Sequence, residues 1–235
     1  FRAYTAGKMP MDVFAGMIGH VALPIYSRTQ LEGQKQLRRV HRHMTWALTH
    51  MIFLSATFAL IATEEVVTIV LGARWMDTVP LFRMMALYIV ARPFWQNCTQ
   101  LLLAVGREKS MRRTVAVQAI FILIACPPAV WFWGAAGAAV VVSIMALIGW
   151  LLSERFVAEV LGAYNWSLYL VPGLTAIVLG ILAIAEKRYE WIPSNIWLST
   201  TIKLTSCVLG FGFVTLALER ETLMDTFNAL RLAIT

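Results

Sequence analysis

Charged residues are scarce in this chain, 14% of 235 residues against 59% that are apolar, whereas ordinary soluble domains carry roughly 25% and 45–50%. With a mean hydropathy of +0.69, that shortage excludes a conventional water-soluble enzyme or binding module. Long polar intervals are missing too. The longest, around residues 28–43, is too short to bury a core of its own. Cysteine is rare, and Cys98, Cys126 and Cys207 sit in apolar runs without C-x-x-C or any other ligand spacing. That pattern excludes a disulfide framework and a metal site, and the three read as small apolar fillers. Nor is there a G-x-S-x-G, a P-loop, an H-E-x-x-H or an H-x-x-x-x-D pair, and the acidic residues are scattered. No catalytic residue is assigned, no cofactor or metal is expected, and the chain is not read as an enzyme. The opening FRAYTAGKMP lacks the pattern of a signal peptide and starts at Phe1, so the chain reads as a fragment.

What is present is a series of apolar runs near or above the ~18–20 residues that cross a ~30 Å hydrocarbon layer. They predict seven spans, at about 9–27, 44–72, 80–104, 114–133, 136–152, 167–185 and 195–218. Backbone groups in lipid must bond internally, and the Leu/Ala/Met-rich runs lack the alternation of barrel strands. The expected fold class is an all-α polytopic membrane protein.

The net charge of +7 does not indicate nucleic acid, because the basic residues cluster between apolar runs and not along one face. One set of alternate loops holds Arg28, Lys35, Arg38, Arg39, Arg42, Arg107, Lys109, Arg112, Arg113, Arg155, Arg220 and Arg231. The other holds only Arg2, Lys8, Arg74, Lys187 and Arg188. By the positive-inside rule the first set is cytoplasmic, which places residue 1 outside and the C-terminus inside. Trp75, Trp131, Trp133, Trp166, Tyr189, Trp191 and Trp197 fall near proposed span ends, where amphipathic rings favour the headgroup zone. WGAAG at 133–137 reads as a tight exterior turn with small residues that let helices approach closely. The basic run 28–43 suits an interfacial helix lying on anionic lipid.

Arg92 stands out because it sits near the middle of an expected span. A charge there costs at least ~2.5–3.5 kcal/mol on insertion scales and usually faces a protein interior or an aqueous cavity. Gln96 and Gln100 share its helical face and Asn97 borders it, while Pro93 removes a backbone donor and predicts a bend. On one reading this stripe binds an anionic ligand, since a guanidinium matches phosphate oxygens. On the other, Arg92 bonds carbonyls of a neighbouring helix. Lys203 is expected to snorkel outward. His20 and His50 read as histidines bonded to a neighbouring helix more readily than as a proton relay. Glu64 and Glu65 are expected to meet water or a cation such as Arg74.

Several segments resemble, in order, motifs of the polysaccharide-transporter branch of the superfamily that contains multidrug extruders, lipid II flippases and O-antigen flippases. They are ALPIYSRTQ at 22–30 with the basic stretch at 35–43, VLGARWMDTVPLFRMMAL at 70–87, LLLAVGREKSMRRTV at 101–115 and WGAAGAAVVVSI at 133–144. The resemblance covers nearly all of 4–156. It implies a 14-helix exporter fold, with residues 1–160 as the C-terminal lobe, 161–235 as two additional helices and a cytoplasmic tail, and an N-terminal lobe missing from this chain. It further implies an inner-membrane flippase that moves an undecaprenyl-diphosphate-linked oligosaccharide to the periplasmic leaflet for O-antigen, capsule or exopolysaccharide assembly. The partners are then the lipid-linked oligosaccharide, membrane lipids and the missing lobe. Arg92 would meet the diphosphate, with Gln96, Asn97 and Gln100 meeting sugar hydroxyls. Alternatives are a cation-coupled drug exporter of the same superfamily and a polytopic enzyme acting on lipid-linked sugars. A non-transporting membrane scaffold is a further alternative.

Overall fold

The computed structural model describes residues 21–162, 166–189, 195–220 and 222–225, without the side chains of 184–189. Within them the chain is all helical. Helix α1 occupies 21–31. It is followed by α2 (Gln34–Ile61), α3 (Thr63–Val70), a 310 turn (Ala73–Thr78), α4 (Val79–Met84), α5 (Ala86–Ala104), α6 (Glu108–Leu161), α7 (Ser167–Tyr189) and α8 (Ile196–Leu218).

Among the described residues three helices are long and apolar enough to cross a membrane, Gln34–Ile61, Glu108–Leu161 and Ile196–Leu218, with a shorter apolar stretch at Ser167–Ala183. The expected span 9–27 lies largely outside the described residues. The expected span 44–72 is broken at Ala62 and the expected span 80–104 at Met85, where the backbone leaves helical geometry. Pro93 is not the break: α5 runs on through it.

Helix α6 contains both 114–133 and 136–152. Its 54 residues reverse direction at Gly134, whose φ of 57° and ψ of −136° belong to a region that only glycine adopts without strain. The two arms lie antiparallel. The Gln118 side chain donates to the Met145 carbonyl at 3.0 Å, and nearer the turn a Cβ on Gly137 would fall 2.0 Å from the Ala129 carbonyl oxygen. The expected tight turn with close small-residue packing is therefore present. Trp131, Phe132 and Trp133 at its tip are 84%, 73% and 70% exposed, as suits rings placed at a membrane boundary.

The hairpin packs chiefly against α5, and α2 packs against α5 and α7. One core cluster joins Ala22 and Tyr26 of α1, Leu37 of α2, Cys98, Leu101 and Leu102 of α5 and Val157 and Leu161 of α6. A second joins Ile52, Ala91, Phe94, Ala146, Trp150 and Tyr169, with Phe94 stacked on Trp150 at 4.9 Å and edge-on to Tyr169 at 5.0 Å. The basic run is not a separate interfacial helix: residues 34–43 are the opening turns of α2, with Leu37 and His41 buried. Gln34 anchors them by donating to the Val160 carbonyl.

Helix α8 is predominantly apolar and exposes Trp197, Leu209, Phe213 and Leu218, the character of a helix solvated by lipid. Polar clips hold it at both ends. Lys203 does not snorkel outward but pairs with Glu65 of α3, which also accepts from Ser199 at 2.8 Å. The carboxylate beside it compensates the ammonium within the packing, so the stem need not extend to the interface. Glu64 meets a cation as expected, Arg83 of α4 at 3.0 Å. At the other end Glu219 accepts from the Trp46 indole at 2.7 Å and contacts His50 Nε2 at 2.9 Å, so His50 is bonded to a neighbouring helix; His20 lies outside the described residues. Lys203→Met is expected to destabilise the protein by about 3–5 kcal/mol, because it leaves a buried carboxylate unpaired, while the double change with Glu65→Gln recovers most of that loss. Thermal unfolding of the detergent-solubilised protein measures both.

Candidate functional site

Helix α5 buries Ala91, Phe94, Asn97, Cys98, Leu101 and Leu102, and that contact face fixes where the polar stripe points. Arg92 and Gln96 fall on its flank and are half-buried, whereas Gln100 and Asn97 are buried. The stripe thus grades from accessible at Arg92 to enclosed at Gln100. The Arg92 guanidinium carbon lies 4.2 Å from the centre of the Trp95 ring, a cation–π contact that holds the side chain without neutralising it. Among the described residues no carboxylate or carbonyl bonds that guanidinium. Of the two sequence readings, the one in which Arg92 is absorbed by carbonyls of a neighbouring helix is not the arrangement seen.

Asn97 is differently placed. It is 1% exposed and belongs to a closed ring of four side chains from three helices. The Tyr26 hydroxyl of α1 donates to Asn97 Oδ1 at 2.9 Å. The Asn97 amide donates to Thr45 Oγ1 of α2 at 3.3 Å. Thr45 reaches His41 Nε2 at 3.4 Å, and His41 Nδ1 reaches the Tyr26 hydroxyl at 3.1 Å. Each hydroxyl has one proton to give, so the ring closes when neutral His41 carries its proton on Nδ1 and accepts from Thr45 at Nε2. Unpaired polar atoms buried here would be costly, and the ring satisfies them all. In this conformation Asn97 positions α5 against α1 and α2.

One turn further into the packing lies a residue that the hydropathy reading passed over. Glu154, on the second arm of α6, is 4% exposed, and the Cys98 thiol donates to its Oε2 at 3.1 Å. Cys98 is therefore not merely an apolar filler. The available signal was helical register: Trp150, Glu154 and Val157 share a face, and two of the three are apolar. An open groove of about 700 Å³ on α6, lined by Ile122, Leu123, Cys126, Pro127, Val130 and Trp131, has the composition of a lipid-facing surface and does not include Arg92.

Residues 1–80 match the family model described as polysaccharide biosynthesis protein. No curated protein and no solved structure matches the chain. The matched segment includes α1, α2 and α3, and so supplies Tyr26, His41 and Thr45 of the ring; α5 with Arg92 follows it. What the match shows is a likeness of residues 1–80, out of 235, to polysaccharide biosynthesis proteins.

Proposed function

We propose that this chain is the C-terminal portion of an inner-membrane flippase that moves an undecaprenyl-diphosphate-linked oligosaccharide from the cytoplasmic to the periplasmic leaflet, with residue 1 periplasmic and the C-terminus cytoplasmic. The observation that carries the reading is the Arg92 guanidinium, half-buried in the middle of α5 and stacked on Trp95 with no described anionic partner. A transporter of diphosphate needs a cation whose charge is left for the cargo. Arg92 would balance the diphosphate, and Gln96 and Gln100 would offer amides to sugar hydroxyls. Asn97 would act by holding α5 in register.

The physical task is to carry hydrated sugars and charge past hydrocarbon, which a polar cavity between two lobes accomplishes while the lipid tail stays in the bilayer. The partner lobe would complete the cavity that Arg92 and Gln96 border. Covalent chemistry is not needed. A drug exporter would be expected to present acidic and aromatic groups to a cationic cargo, whereas the accessible face here is cationic and amide-rich. Reconstitution of the full-length protein into liposomes with a labelled lipid-linked oligosaccharide in one leaflet tests the reading. Protein-dependent appearance of label in the opposite leaflet is expected, and exchange no faster than in protein-free liposomes would refute it.

A further inference from the structure

The two polar clips on α8 differ in kind. At one end Lys203 pairs with Glu65, and an ammonium can only donate. At the other end the pairing depends on where hydrogens sit. His50 of α2 places Nδ1 2.9 Å from the Trp46 carbonyl oxygen and Nε2 2.9 Å from Glu219 Oε2. The same Oε2 accepts from the Trp46 indole at 2.7 Å. A carbonyl oxygen only accepts, so Nδ1 carries a hydrogen. The line between Nε2 and Oε2 then needs one more, held as an imidazolium facing a carboxylate or as a carboxylic acid donating to a neutral ring. Without it two lone pairs meet at 2.9 Å. Moving the ring hydrogen to Nε2 only transfers the conflict to the Trp46 carbonyl.

The surroundings suit the proton. The Trp46 and His50 ring centroids are 4.5 Å apart, close enough for the indole to stabilise an imidazolium. The His50 and Glu219 side chains are 16% and 12% exposed, which leaves water little room to replace the missing bond. Other charged and titratable groups on the elements packed here are engaged or turned away. On α2, His43 feels Arg39, Arg42 and, beyond α8, Asp225, and His41 belongs to the four-membered ring. Arg220, next to Glu219, is exposed. On α3, Glu64 and Glu65 hold Arg83 and Lys203. Between Ser167 and Ala183 of α7 the one titratable residue is Tyr169, which lies in the second core cluster.

We propose that the C-terminal end of α8 is a proton-dependent latch, in which the hydrogen shared by His50 and Glu219 fastens the helix to α2. The balance involves one proton and no other reactant. As pH rises the pair gives that proton to solvent and leaves a neutral imidazole beside a carboxylate. The latch is therefore closed on the acid side and weakened on the alkaline side. Lys203 keeps the other end of α8 in place, so the helix swings and does not leave. Opening uncovers Trp46, which is 6% exposed in the latched state.

Hydrogen–deuterium exchange of the full-length protein in liposomes tests the latch, needs no cargo, and so is independent of the flippase reading. The backbone amide of Glu219, bonded to the Thr215 carbonyl at 2.9 Å, lies in the segment to be followed by mass spectrometry. After correction for the intrinsic pH dependence of exchange, that segment is expected to exchange severalfold faster at alkaline than at mildly acidic pH in the wild type. His50→Lys supplies a donor that keeps its hydrogen across this range, and is expected to stay protected at both pH values. His50→Leu leaves Glu219 only the indole and is expected to exchange fast at both. A merely structural contact would weaken in the variants without changing the pH profile. A wild type whose corrected exchange does not respond to pH, a lysine variant that keeps the wild-type transition, or a leucine variant protected throughout would overturn the proposal.

Discussion

Arg92→Ala in the full-length protein is expected to leave membrane insertion intact and to lower surface polysaccharide by about ten- to a hundredfold. The magnitude follows from the loss of one or two charge-assisted hydrogen bonds to phosphate, about 1.5–3 kcal/mol. Insertion is spared because removing a half-buried charge from an apolar helix lowers the cost of placing it in lipid. Arg92→Lys is expected to fall between the two, since an ammonium preserves the charge but not the planar fork. Quantitative blotting of surface polysaccharide, with membrane-fraction levels of the protein as control, makes the measurement. Normal polysaccharide in the alanine variant removes Arg92 from the mechanism, and a variant that no longer reaches the membrane assigns it a folding role.

The second large effect is expected at Gly137. A valine there would place its Cβ where the Ala129 carbonyl oxygen lies 2.0 Å away, and backbone cannot yield as a flexible side chain does. The two arms of α6 must separate, which opens the interface that Gln118 and Met145 bridge. The expected loss is at least about 3 kcal/mol, the upper end of the range for overpacking. Gly134→Ala is expected to cost less, about 1–3 kcal/mol, because the strain stays local to one residue. Thermal unfolding in detergent and recovery from the membrane fraction report both. A Gly137→Val variant that melts with the wild type would mean that the arms are not in contact at this point.

How far the sequence could be read is clearest on individual residues. The turn at 133–137 was legible because two glycines between apolar runs allow little else. The prominence of Arg92 was legible because a charge in an apolar run is expensive wherever it points. The enclosure of Asn97 was not legible, because helical spacing places it beside Gln96 and Gln100 without saying which flank meets other helices. Lys203 and Glu65 are 138 residues apart, and no periodicity within either helix announces the other. Glu154 was missed because it follows the last residue of the expected span, where a carboxylate ordinarily meets water.

Composition and the lengths of the apolar runs determined, unaided, that this protein is helical and built for lipid, since hydrocarbon leaves the backbone no partner but itself. They also determined that α6 must reverse near Gly134. Tertiary packing decided the rest: which polar side chains are consumed in holding helices together, as in the Tyr26–Asn97–Thr45–His41 ring and the clips on α8, and which keep a charge without an anionic partner among the described residues, as at Arg92. The physical reason is that transfer free energy depends on a residue's type and depth, whereas compensation of a buried charge depends on neighbours that only the fold brings within 3 Å or so.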